Sequence, residues 1–424
     1  MESSRSMRQA WTAVIAGTSV NLCLGILYAW SMWKTELVSA EKAGTPMSGL
    51  NEGWTYLNAG EGNWAFSLCG FIFALTMIPG GRLQDRYGPR LGTALGGVLL
   101  AGGCILAGVM HSFVGLVVGF GVLGGLGMGF GYAAATPAAV KWFGPARRGL
   151  VVGIVVAGYG AAMIYISPLA GKLIAQYGVS GSFIGLGILF SAVILTAAFF
   201  LKPPPPDYVA PLANNVAQPV AARQWTAGEM LRSPQFYALF LMYLGSAQVG
   251  LLVIGNIKPL FNELAADAPE LKSEWWMVFT FLGVINALGR VGTGVYSDKT
   301  GRRNAYLINA IPAVAAILLL HWTIETRNTL AFFAAVGVIA WQYGGGLSIL
   351  PAITADFFGT KNMGLNYGLV FLGWGAAFFV PQVATIMKDG PATLSHAAIW
   401  LSAGLSALGI LVAVFLKKPA ESPS

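Results

Sequence analysis

Charge is what this sequence is short of. Lys, Arg, Asp and Glu make up 10% of 424 residues, against roughly 25% in an ordinary soluble domain. So few charges cannot cover a soluble surface of this size, which leaves lipid as the main solvent. Cysteine is scarce too. Cys23, Cys69 and Cys104 all sit in or beside apolar runs, and an odd count without metal-ligand spacing argues against a disulfide framework and a zinc site. The three histidines, His111, His321 and His396, lie near predicted helix ends, with no nucleophile or ligand cluster beside them. No enzyme, metal or cofactor is therefore expected. The net charge of +8 is spread in short clusters between apolar runs, so nucleic acid is not an expected partner. Finally, no Asp or Glu falls in the core of any predicted helix.

What the chain has instead is apolar length. Hydrophobic residues reach 56% and the mean hydropathy is +0.66. Crossing a bilayer takes about 20 apolar residues. Runs of that kind fall near 11–33, 62–82, 91–110, 113–141, 150–172, 182–201, 234–262, 274–296, 304–323, 329–352, 364–386 and 395–416, which predicts an all-α membrane protein of twelve helices. The first run, Trp11 to Trp33, reads as a span rather than a cleavable signal. Lys202-Pro-Pro-Pro-Pro206 cannot continue a helix. It divides the chain into a six-helix unit (1–201), a linker (202–233) and a second six-helix unit (234–424), with a short surface helix expected from Trp225 to Leu231. Basic residues concentrate at the termini and in alternate loops, including Arg82, Arg86, Arg90, Lys141, Arg147, Arg148, Lys299, Arg302 and Arg303. The opposite loops hold Lys34, Lys42, Lys258, Lys272, Arg327 and Lys388. The positive-inside bias predicts a multi-pass protein of the plasma or inner membrane with both termini cytoplasmic. A monomer is expected.

The two units repeat. Gly81-Arg82-Leu83-Gln84-Asp85-Arg86-Tyr87-Gly88-Pro89-Arg90 follows the second run, and Gly294-Val295-Tyr296-Ser297-Asp298-Lys299-Thr300-Gly301-Arg302-Arg303 follows the eighth. Pro137 leads to Trp142-Phe143-Gly144, Gly149-Leu150, Gly153 and Gly158-Tyr159-Gly160. Pro351 leads to Phe357-Phe358-Gly359, Gly364-Leu365, Gly368 and Gly373-Trp374-Gly375, with the same spacing from the Phe-Gly step onward. Parallel repeats place a substrate near the midplane between halves. The duplicated G-x-x-x-D-[R/K]-x-G-x-R loop resembles the signature of the major facilitator superfamily over essentially the whole chain. That resemblance implies two pseudo-symmetric six-helix bundles, with Gly81, Asp85, Arg86, Arg90, Asp298, Lys299 and Arg302 helping to close the cytoplasmic side. Asp85 is expected at a neighbouring helix N-terminus, paired with an Arg.

One basic residue lies deep in a predicted span. Arg290 is eight residues before Asp298, about 12 Å along the helix. An intramembrane guanidinium is a functional candidate by default, and its fork matches a carboxylate bidentately. Asn286 lies one turn away on the same face, with Gly283, Ala287 and Gly294 on that side. It can orient Arg290, bond the substrate, or join two helices. Tyr28, Tyr132, Tyr159, Tyr165 and Tyr343 place hydroxyls in the spans, where the ring supplies apolar wall and the hydroxyl a bond.

Tyr28-Ala29-Trp30-Ser31, Lys141-Trp142-Phe143 before Arg148-Gly149-Leu150, Ala157-Gly158-Tyr159-Gly160 and Asn366-Tyr367-Gly368 are similar to the oxalate/formate antiporter group, itself akin to the monocarboxylate transporters. In both, the resemblance implies carboxylate binding by an arginine at the position of Arg290. The departures narrow this further. The second cation of the oxalate antiporters is replaced by Trp374. The helix-eight aspartate and helix-one lysine of animal monocarboxylate transporters become Asn286 and Met32. One cation balances one carboxylate, so lactate, pyruvate, acetate or formate is expected rather than oxalate. Tyr28, Tyr132, Tyr159, Tyr343, Phe371 and Trp374 would enclose the apolar part. Proton symport and anion exchange are both compatible with these residues. The alternatives are an oxalate or other dicarboxylate antiporter of the same fold and, in a different class, a non-transporting carboxylate sensor.

Overall fold

The computed structural model describes all residues except 1, 144, 206–207, 209–222, 360, 388–392 and 420–424; the side chains of 2–6, 140 and 145–150 also lie outside it. The side chains of Arg147 and Arg148, together with Lys388 and most of the predicted linker, therefore fall outside the described part.

Eleven apolar helical segments are long enough to cross a bilayer. One of them, Val151–Phe200, is two spans: Gly178 breaks it with φ 70° and ψ −177°. The spans are α1 (Met7–Leu37), α2 (Ala59–Tyr87), α3 (Pro89–Met110), α4 (Phe113–Ala139), α5 (145–177), α6 (179–200), α7 (Pro234–Ile254), α8 (Trp276–Thr300), α9 (Arg302–Glu325), α10 (Thr329–Phe358), α11 (Met363–Ile386) and α12 (His396–Phe415). Twelve passes return the chain to the face on which it starts. The architecture is that of two six-helix bundles. Within them α3 lies on α4 and α6, while α8 and α9 lie on α10.

Small residues permit these packings. A Cβ on Gly103 of α3 would sit 2.5 Å from the carbonyl oxygen of Gly119 in α4. The two backbones meet with no side chain between them, as membrane helices require where no hydrophobic effect drives association. The repeated motif has its own glycine geometry. Gly88 (φ 81°) ends α2 and Gly301 (φ 83°) ends α8, each turning the chain straight into the next helix in a conformation that other residues adopt at a cost.

Several spans depart from regular helix, among them α1, α4, α7 and α11; α4 widens to a π-helical stretch over Leu116–Gly124. α1 tightens to a 3₁₀ turn over Gly25–Ala29. α7 stops at Ile254, short of the predicted 262. There Asn256 donates to the Leu252 carbonyl at 2.8 Å, and a separate helix, Ile257–Leu264, follows. α11 opens at Phe378, whose freed carbonyl accepts from Ser67 of α2 at 2.7 Å. A side chain thus satisfies the backbone group that the break exposes, as lipid demands. The predicted surface helix is present as Ala227–Leu231, closed by a Thr226–Glu229 capping box. The Thr226 amide and hydroxyl, with Arg223, hold the Glu229 carboxyl down at about 2.

Candidate functional site

The two halves meet along two lines. α2 packs on α11, where Gly368 faces Ile78 and Gly375 faces Ala74. α5 packs on α8, where Gly283 lies against Met163 and Ile164. So Gly283 is a helix contact, while Gly294 has open space around it. Arg290 projects from α8 into this seam and is 3% exposed. It has not snorkelled to an interface. Its Nε donates to Asn286 Oδ1 at 3.1 Å, its Nη1 to the Val156 carbonyl of α5 at 3.1 Å, and its Nη2 to the Tyr28 hydroxyl at a long 3.5 Å. Ser348 of α10 donates to the Arg290 carbonyl at 2.7 Å, fixing the backbone beneath. Among the described residues no acidic side chain forms an ion pair with this guanidinium. One contact from each nitrogen uses three of the five N–H groups an arginine carries.

The aromatic residues assemble from both halves. Tyr159 lies edge-on to Tyr28 (5.3 Å between centroids) and to Tyr132 (5.7 Å), and Arg290 sits 5.9 Å from its ring centre. Tyr132 stacks loosely on Phe371 at 6.4 Å, and Phe371 stacks on Trp374 at 4.6 Å. The Trp374 indole donates to the Tyr343 hydroxyl at 3.2 Å. Thus Arg290, Asn286, Tyr28, Tyr132, Tyr159, Tyr343, Phe371 and Trp374 form one continuous cluster, each of them buried. Tyr165 is not part of it; its hydroxyl donates to the Leu22 carbonyl instead. Lys172 is exposed.

Sequence reasoning missed three members. Phe73 of α2 is the hub between halves, with Tyr132, Phe371 and Trp374 at 5.4, 5.8 and 5.2 Å. A phenylalanine in an apolar run carries no signal of that. The Val156 carbonyl is backbone and invisible in sequence. Gly160 leaves room for the guanidinium: a Cβ there would lie 3.0 Å from Arg290 Nε.

A second polar cluster links the halves at the face opposite the termini. Lys34, grouped by sequence with the loop residues, is in fact buried, and donates at 2.7 Å to both Asn63 of α2 and Asn256 beyond α7. Asn63 donates in turn to Thr385 (2.6 Å) and the Pro381 carbonyl (3.2 Å) of α11.

The motif loops lie at the face of the termini. Among described side chains the ion-pair partner of Asp85 is Lys141 at 3.9 Å, where an Arg was expected; Arg147 and Arg148 are outside the description. Asp85 lies 3.8 Å from the Cβ position of Gly364, near the start of α11. In the second copy Asp356 stands where Lys141 stands in the first. Two acids therefore face each other there, and Arg302 bridges them, at 2.6 Å to Asp298 and 3.5 Å to Asp356. Arg90 donates to the Phe199 carbonyl, and Arg86 stacks on Tyr87.

Two helical bundles thus meet around a buried polar and aromatic cluster centred on Arg290. Residues 10–381 match the family model described as Major Facilitator Superfamily, and the chain belongs to that family. It is 28% identical over 376 residues to the MFS-type transporter YhjX of Escherichia coli (strain K12), covering 88% of this chain and 87% of that one. It is 27% identical over 378 residues to the oxalate:formate antiporter of Oxalobacter formigenes (82% and 87%), and 24% identical over 364 residues to monocarboxylate transporter 12 of Rattus norvegicus (81% and 74%). Among solved structures, the crystal structure of a D-xylose-proton symporter superposes with a TM-score of 0.68 at 14% identity, covering 96% of each chain; that likeness speaks to fold alone.

Proposed function

We propose that this membrane transporter carries small monocarboxylates of the lactate, pyruvate, acetate or formate type, by rocking its two halves about the Arg290 site. The observation that supports the reading most is a buried guanidinium with N–H groups to spare and no acidic partner among the described residues. A carboxylate supplies the missing charge, and neutralising the arginine lowers the cost of enclosing both. The aromatic cluster takes the apolar remainder. The relatives named for oxalate, formate and monocarboxylates support an organic anion. Trp374, where a second cation would be needed for a dianion, favours one carboxylate over two. Proton symport and anion exchange are both open to this site, and transport with and without an imposed pH gradient separates them. The basic clusters at the termini's face support a cytoplasmic assignment for that face, where the motif ion pairs would hold the two halves closed when the site faces out.

The test is binding of a carboxylate panel to purified protein and to Arg290→Ala. Removing one partner of a buried charge pair costs about 3–5 kcal/mol, so affinity for every carboxylate should fall roughly a hundredfold or more. Unchanged affinity in the variant refutes the site. Tighter binding of oxalate than of lactate by the native protein would favour the dicarboxylate reading instead.

A further inference from the structure

Lys258 is 9% exposed, in the short helix Ile257–Leu264 that follows α7. Among the described residues it makes no hydrogen bond and no ion pair. Its ammonium lies over the face of Trp275, 4.4 Å from the ring centre. An ammonium carries three donors, and the attraction of a ring face is weaker than the cost of burying an ion without a partner. Burial, helped by Lys272, holds this group down at about 8, and Glu36 offsets the effect in part. Glu36 itself is exposed at the outer end of α1. Buried polar groups are normally paired, and a bare one in a native structure points to an absent partner.

The place is the outer end of the seam that holds Arg290. The helix of Lys258 packs on the outer end of α1, in the other half. A Cβ on Gly171 of α5 would lie 2.6 Å from the Trp275 ring, so the indole beneath Lys258 is pressed against α5. Further in, Gly283 meets Ile164, and Arg290 meets Gly160. These three contacts step along α5 and α8 together. Arg290 is 15 residues beyond Trp275, about 22 Å along the helix. Parting the halves at the outer face therefore bares Lys258 first, with Arg290 behind it. The absent partner is an anion, because a neutral acceptor would leave the charge uncompensated and Lys272 adds a second positive charge nearby. Trp275 and the Met32 methyl, both against Gly171, offer apolar surface to the rest of an organic acid. We propose that Lys258 is an outer docking site, where an incoming carboxylate is held over Trp275 before it passes to Arg290. This rests on the reading of Arg290 as the carboxylate site, and adds the step by which the anion reaches it.

The experiment is lactate uptake into proteoliposomes at low and high ionic strength. Capture of the anion is read in kcat/KM, and the later steps in kcat. A charged entrance raises capture about tenfold or more, so Lys258→Gln should lower kcat/KM at low salt by about that factor and leave kcat near native. The gap should narrow at high salt, which screens the field. Lys258→Arg keeps the charge and should restore kcat/KM. Glu36→Gln removes a competing acid and should leave kcat/KM at or above the native value. Native kcat/KM in Lys258→Gln, with uptake abolished in Arg290→Ala, overturns the docking site and leaves the Arg290 site standing. A loss that Glu36→Gln reproduces assigns Lys258 to an ion pair with Glu36 in another state, and overturns the inference. A loss that salt does not diminish, or a fall in kcat that Lys258→Arg does not repair, makes the lysine structural and overturns it as well. Uptake that persists in Arg290→Ala overturns the deep site, and this inference with it.

Discussion

Replacing Asn63 with leucine should loosen one face of the transporter and leave each half intact. Asn63 donates to Thr385 and to the Pro381 carbonyl on the opposite half. Its third bond, from Lys34, joins α1 to α2 inside one half, so it persists whether the halves are together or apart. Only the first two are broken on opening. At about 0.5–1.5 kcal/mol net for each neutral hydrogen bond, the closed arrangement loses about 1–3 kcal/mol relative to the open one. That corresponds to a shift of about 5- to 150-fold in their ratio. Asn256→Leu removes the Lys34 bond that does cross between halves, and a bond to a charged group is worth about 1.5–3 kcal/mol, so its shift should be at least as large. The assay is a distance distribution between spin labels at Leu50→Cys and Ile386→Cys, exposed positions on the two halves at this face; the native cysteines are buried. Both variants should move population from the short to the long distance. Superimposable distributions would refute the cluster as a latch. A lowered melting temperature with no change in distance would assign its bonds to the stability of the single halves.

Two further substitutions probe the centre. Gly160→Ala brings a Cβ to 3.0 Å from Arg290 Nε and 3.2 Å from Asn286 Oδ1, so it should lower carboxylate affinity several-fold while helicity by circular dichroism stays native; native affinity would mean the guanidinium has room to shift. Trp374→Lys puts a second cation beside Phe73 and Phe371. The buried charge should lower the melting temperature, and oxalate should restore it in the variant and have no such effect on the native protein; no rescue by oxalate would separate substrate charge from cation count.

Individual residues show how much was legible beforehand. Arg290 stood out because a charge in an apolar run breaks the one rule lipid enforces everywhere else, and the structure finds it buried at the seam. The tyrosines carried a weaker signal. Five were candidates, four join the cluster, and Tyr165 turns away to a carbonyl of α1, since a hydroxyl in a span satisfies itself on whichever backbone group is nearest. Phe73 had no signal, because its role is position alone. Lys34 was misleading: at a predicted helix end it counts toward topology, yet the break after α7 brings Asn256 to it and buries it between the halves.

Composition and repetition therefore determined the class of solvent, the number of passes and the duplication, because each depends on residue type summed along the chain: the lipid core demands apolar length, and a turn such as Gly88 or Gly301 demands glycine at one place. Tertiary structure alone decided which groups converge on Arg290, that the Val156 carbonyl from the other half holds it, and that Asn286 and Tyr159 keep unpaired polar atoms beside it. Those facts depend on how helices distant in sequence are rotated and staggered against one another. Packing between spans sets that, and an apolar run looks the same whichever way it is turned.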